Sequence, residues 1–188
     1  AFALLLGGLL LGAGGCANTN NRDEDTRGAS LLLLDSLLGA DGPFIYSDVC
    51  VGNIGSCGTF SDTATANLRN VLLNPEGEGS FYQDIQMYRL RVTFTRSDGR
   101  NTQGVDVPWA FDSVMSGTVG VGGTAGIPFV IVRHVAKEES PLVELAGLGD
   151  ESIIYTNTRC DFYGRDIAGN EHQVFGWIDI EFGDFADD

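Results

Sequence analysis

The chain has 188 residues and carries 26 acidic against 11 basic side chains, a formal charge of −15 that repels phosphate backbones and argues against a nucleic-acid partner. Its 43% hydrophobic content, with 11 Phe, excludes wholesale disorder, and 26 Gly against 5 Pro points to many tight turns between short elements. Once a leader and tether are set aside, the remaining length suits one domain with its own core.

Residues 1–15, AFALLLGGLLLGAGG, form an uncharged apolar run that gives way to the polar NTNNRDEDTRG. The run falls short of the roughly 20 apolar residues that span a bilayer and fits the core of a secretory signal peptide. Its small residues Ala13, Gly14 and Gly15 stand directly before Cys16. This arrangement resembles the lipobox of bacterial lipoproteins, although Ala13 occupies the place where Leu is usual. The resemblance implies that the Cys16 thiol is acylated, becomes the new N-terminus and binds a membrane through its lipid anchor. With Ala17 next, rather than the Asp that often retains such proteins at the inner membrane, it implies the outer membrane or cell surface of a bacterial envelope. The competing reading is an ordinary signal peptide that happens to contain a cysteine. Residues 16–28 then serve as lipidated cysteine and flexible tether, since this polar stretch has no apolar periodicity with which to build a core.

The domain is expected over residues 29–188. Ala29 to Ala40, ASLLLLDSLLGA, is rich enough in Leu for a helix, but its shortness and flanking Gly and Asp favour a buried first strand. PFIYSDVCVGNIGSCG follows as an aromatic and β-branched run with a Gly-rich turn between Cys50 and Cys57. These two cysteines are close enough across a turn to form a disulfide in an oxidising compartment, and their spacing fits no usual zinc site. In DTATANLRNVLLN, Ala64, Ala66 and Leu68 alternate with polar residues, as in a half-buried strand. In MYRLRVTFTRSDGR the alternation predicts Tyr88, Leu90, Val92 and Phe94 on one face and Arg89, Arg91, Thr93 and Thr95 on the other, closed by the turn at Ser97, Asp98 and Gly99.

VDVPWAF, SVMSGTV and IPFVIVRHVA continue the series of short apolar runs. Between the last two, GTVGVGGTAG lacks the lysine and the following helix of a phosphate-binding loop and is read as a hairpin loop. A loose acidic connection is expected from Lys137 to Glu151. The clearest strands come last. SIIYTNTRCDFYGRD puts Ile154, Thr156, Thr158, Cys160 and Phe162 on one face, and EHQVFGWIDIEF offers Val174, Ile178, Ile180 and Phe182 to the core. Cys160 is thereby read as a buried thiol, and Asp166, Gly169 and Asn170 as structural residues of the turn between the two strands.

About seven to eight short strands without an amphipathic helix predict an all-β, antiparallel two-sheet sandwich. FYGRDIAGNEHQVFGWIDIEF, with Asp166, Ala168, Gly169 and Asn170 in its turn, resembles the closing hairpin of bacterial immunoglobulin-like and fibronectin-III-like surface modules. The whole chain is similar to uncharacterised lipoproteins of environmental bacteria. The resemblance implies an immunoglobulin-like sandwich on the cell envelope with no assigned chemistry.

No serine lies in a G-x-S-x-G elbow, His134 and His172 are the only imidazoles, and Asp161, Asp166 and Glu171 do not form a calcium loop. No catalytic residue, metal ligand or cofactor site is assigned. The expected role is a non-enzymatic binding or structural module, partnered by an envelope protein or polysaccharide. The alternative is an accessory or catalytic subunit acting on an envelope polymer, which would bring His134 or His172 together with carboxylates in a cleft.

Overall fold

Two-residue alternation sets most of the strands. Residues 29–40, 42–52, 57–149 and 152–185 are described by the structure, a computed structural model. Among them, eight strands lie in two sheets: β1 (Ser30–Leu38), β2 (Phe44–Asp48), β3 (Asp62–Leu72), β4 (Ile85–Thr95), β5 (Phe111–Val119), β6 (Thr124–Val132), β7 (Ile154–Asp166) and β8 (Glu171–Gly183). The three-stranded sheet runs β1-β3-β6 and the five-stranded sheet runs β2-β8-β7-β4-β5. The Leu-rich opening segment is therefore a strand.

The inner faces of the sheets supply one core. Leu32, Ala66, Leu68 and Ile131 come from the smaller sheet, and Leu90, Val92, Cys160, Phe162, Ile178, Ile180 and Phe182 from the larger. Across it, the Phe129 and Phe162 rings meet edge to face at 5.4 Å. Ile154, Thr156, Thr158, Cys160 and Phe162 are all buried, as the alternation in β7 requires. On β8 the sheets approach so closely at Gly176 that an added Cβ would lie 2.3 Å from Leu34 Cδ2.

Four expectations need correction. The larger sheet is mixed, because β2 pairs with β8 in parallel, from Phe44 opposite Asp179 to Asp48 opposite Gly183. The chain leaves β1 through a turn at Gly39 and Gly42, where Gly39 N donates to Gly42 O and Gly42 has φ 130°. It then crosses to the other sheet and runs along β8 in the same direction. Tyr88 does not join the core face: the register shifts between Met87 and Arg89, so Met87 takes the buried position while Tyr88 is exposed.

The Gly-rich GTVGVGGTAG is no hairpin loop, because most of it is strand and its turn carries the chain from the larger sheet at β5 to the smaller at β6. Val121 N, in that turn, donates to Asp84 Oδ1 at 2.8 Å. The acidic connection is more ordered than its composition implies, forming the short helix α1 (His134–Lys137) and a 3-10 turn over Leu142–Leu145. Lys137 is buried, with Nζ 3.0 Å from Asp62 Oδ2 and 2.7 Å from Asp48 O. Ser47 Oγ donates to the same Asp62 carboxylate at 2.6 Å, so one polar knot ties β2, β3 and α1 together.

Candidate binding face

The outer face of the five-stranded sheet gathers polar and aromatic side chains that the core does not need. Residues opposite each other across neighbouring strands project to the same side, so the register defines the rows of this face. Phe44 of β2, Asp179 of β8 and Asn157 of β7 form one row, and Tyr46, Glu181 and Tyr155 the next. Further along, Trp177 faces Arg159, Phe175 faces Asp161, and Glu171 faces Arg165. Phe44, Tyr46, Tyr88, Tyr155, Phe175 and Trp177 are all exposed, the Tyr155 side by 58% and Trp177 by 47%.

Arginines organise the half of the face over β7, β4 and β5. Arg159 lies over the Phe175 ring at 4.2 Å and donates to Asp161 at 2.7 Å, while Arg89 covers Tyr163 at 4.8 Å. Arg89 and Arg91 both bind Asp112; the hydrogen bond from Arg89 holds that carboxyl below its ordinary range. Glu171 takes hydrogen bonds from Arg165 and Tyr88, and burial, followed by that carboxylate, pushes the Tyr88 phenol up.

The half over β2 and β8 is built differently. Among the described residues no cation pairs with Asp179 or Glu181; Asp179 accepts from Asn157 Nδ2 at 2.8 Å. Tyr155, Asn157, Asp179 and Glu181, with Ser97 from the turn after β4, line a cleft of about 220 Å³. The Tyr46 ring is steadied edge-on by Phe44 at 5.1 Å and Phe185 at 5.7 Å. Period-two alternation in β8 marks Phe175, Trp177, Asp179 and Glu181 as outward, but the neighbours that complete the rows follow only from the strand order.

The residues singled out in the sequence fall elsewhere. Cys16 and the leader lie outside the described residues. Cys50 and Cys57 are joined in a disulfide, with Cα atoms 5.1 Å apart. Asp166, Gly169 and Asn170 form the β7–β8 turn: the Asp166 carboxylate accepts from Asn170 N at 2.7 Å and Asn170 Nδ2 at 2.8 Å, and Gly169 has φ 94°. His172 Nε2 lies 3.4 Å from Asp166 Oδ2, both side chains being buried. Burial works to raise the Asp166 pKa, but the hydrogen bonds from Asn170 and His172 outweigh it and hold the value below the ordinary one.

Cys160 is a free, fully buried thiol whose pKa burial pushes up to about 12. His134 begins α1 at the end of the sandwich opposite His172, with Nδ1 3.5 Å from Ser61 Oγ. The structure thus keeps the two imidazoles apart. Asp161, Asp166 and Glu171 are each engaged by a donor of this chain, and among the described residues no group of three His, Cys, Asp or Glu side chains could hold a metal ion.

No family model matches the chain, and no curated protein matches it. Among solved structures it is similar to the sporulation control protein Spo0M from Bacillus subtilis, at 10% identity and a TM-score of 0.34, over 81% of this chain and 49% of that one. The chain spans about half the length of that protein, and a likeness of this degree supports no inference about activity.

Proposed function

We propose that this protein is a lipid-anchored module of the bacterial cell envelope, at the outer membrane or cell surface, that works by binding rather than by catalysis. The observation that carries the reading is the outer face of the five-stranded sheet, where six exposed aromatic rings on β2, β4, β7 and β8 share the surface with charged groups. Large rings beside fixed polar groups supply contact area at low entropic cost. The Cys50–Cys57 disulfide suits an exported chain, since such bonds persist in oxidising compartments. Cys16, after its run of small residues, supplies the attachment point.

The finer fold reading is an immunoglobulin-like sandwich. What supports it is that the strand order β1-β3-β6 and, with the parallel edge strand β2 set aside, β8-β7-β4-β5 correspond to A-B-E and G-F-C-C′ of that architecture. The likeness is of topology, not of antibody chemistry: Cys160 lies on the F-like strand β7, but β3 carries no cysteine with which to bridge the sheets. The test is expression with an intact leader in a lipoprotein-processing bacterium. Protein that fractionates with the membrane and retains envelope material in a pull-down supports the reading. Protein that stays wholly soluble and captures nothing refutes it.

A further inference from the structure

Five surface or partly buried carboxylates of this protein, those of Asp35, Asp98, Asp112, Asp161 and Glu171, are each matched by an arginine. On the outer face of the five-stranded sheet, Asp112, Asp161 and Glu171 have such partners, while among the described residues Asp179 and Glu181 have none. They sit in neighbouring rows on β8 and make no ion pair with a cation of the described residues, framed by Phe44 and Tyr46 on β2 and Tyr155 on β7, with Trp177, under Arg159, next along the strand. A carboxylate flanked by ring faces attracts an ammonium group twice, by its charge and through the ring quadrupoles.

The shape of the site narrows the occupant. At about 220 Å³ the cleft under Tyr155 is smaller than the roughly 300–1,000 Å³ of pockets that engulf a small molecule, and it opens onto a pleated face studded with rings. That geometry suits one unit of a longer chain lying along the sheet. In the row Tyr46–Glu181–Tyr155 a carboxylate stands between two exposed rings, which suits the C–H faces and polar edges of a pyranose sugar better than the desolvated centre of a protein interface. The charge of −15 repels acidic glycans.

We propose that the β2–β8–β7 face binds a cationic amino-sugar polymer, with sugar rings stacked on Tyr155, Tyr46 and Trp177 and free ammonium groups held by Glu181 and Asp179. This rests on the envelope-module reading above and names its ligand class. Asn157 serves as a positioning residue by fixing the Asp179 carboxylate.

The full chain, held in detergent, is titrated with a glucosamine hexamer, its N-acetylated form, a neutral glucan hexamer and oligolysine, reading calorimetry and, in a Trp109→Phe background, the fluorescence of Trp177. The expected result is binding of the glucosamine hexamer at least tenfold tighter than the other three, weakened about tenfold by Glu181→Gln and by Tyr155→Ala and reduced by salt. Phe81→Ala, in a second 3-10 turn (Phe81–Gln83) that lies by the β7–β8 turn at the far end of the sheet from Tyr155 and Glu181, should bind as wild type. Equal binding of the acetylated hexamer, equal binding of oligolysine, an unaffected Glu181→Gln protein or no binding at all would each overturn the proposal. The envelope reading fails separately, when the wild-type protein is not membrane-attached and captures no envelope material. If only the sugar titration fails while capture persists, the ligand class is wrong and that reading stands.

Discussion

Asp166 shows how one side chain sets a turn and a pH response together. It ties Asn170 across the β7–β8 turn and faces His172, and its carboxyl is held below its ordinary pKa by those bonds. A depressed carboxyl contributes stability above its unfolded pKa and loses it as pH falls through the folded value. Asp166→Asn should therefore cost about 1–2 kcal/mol near neutral pH, with the gap to wild type closing as melts are taken to about pH 3. A gap independent of pH would remove the charge from this account. Gly169 acts through its backbone alone: no atom lies within 4 Å of an added Cβ, but φ 94° strains a branched residue, so Gly169→Val should lower stability by about 1–3 kcal/mol in denaturant titration. Cys160, with its pKa near 12, should resist alkylation at neutral pH and react only when the protein unfolds. Rapid labelling of folded protein would show that the thiol is reachable. These three residues were readable from sequence because turn chemistry and strand parity are local rules.

At the scale of elements, β8 is the hinge of the architecture, pairing with β7 on one side and β2 on the other while Gly176 admits Leu34 and Leu37 from β1. Ile180→Ala should cost about 2–5 kcal/mol through lost burial and a cavity, measured by thermal melts. Lys137→Ala should cost about 3 kcal/mol, because it strands the Asp62 carboxylate that Ser47 and Lys137 share. What the sequence concealed lies here. The bulge at Tyr88 slips the register by one residue, which alternation alone cannot reveal, since Met87 and Tyr88 are both plausible core residues. The sheet changes after β1 and after β5 are equally hidden, because a Gly-rich turn reads the same whether its strands pair with each other or part company. In the sequence Lys137 only opens an acidic connection, and it takes the distant partner Asp62 to explain its burial.

At the scale of the whole molecule, strand content and two-sheet layering were legible, while the candidate binding face was legible only as the outward half of β8. Its rows exist because β2 and β7 flank that strand, an arrangement fixed by pairings between residues more than a hundred positions apart in the chain, such as Phe44 with Asp179. The proposed attachment site, Cys16, is purely a sequence feature. Cys16→Ser should abolish both the mass gain of a diacylglyceryl group and partition into detergent, measured by mass spectrometry on protein expressed with its leader. The placing of β1 and β2 in different sheets also has a mechanical consequence. A molecule held at its N-terminus receives any pull at Ser30, and tension along the axis of β1 loads its pairing with β3 from Ser30–Leu72 to Leu38–Thr65 in shear, all rungs at once. Should β1 yield, the load passes to β2, which is laced in parallel to β8 on the opposite sheet, so the fold resists being drawn apart through two separate strand interfaces in series.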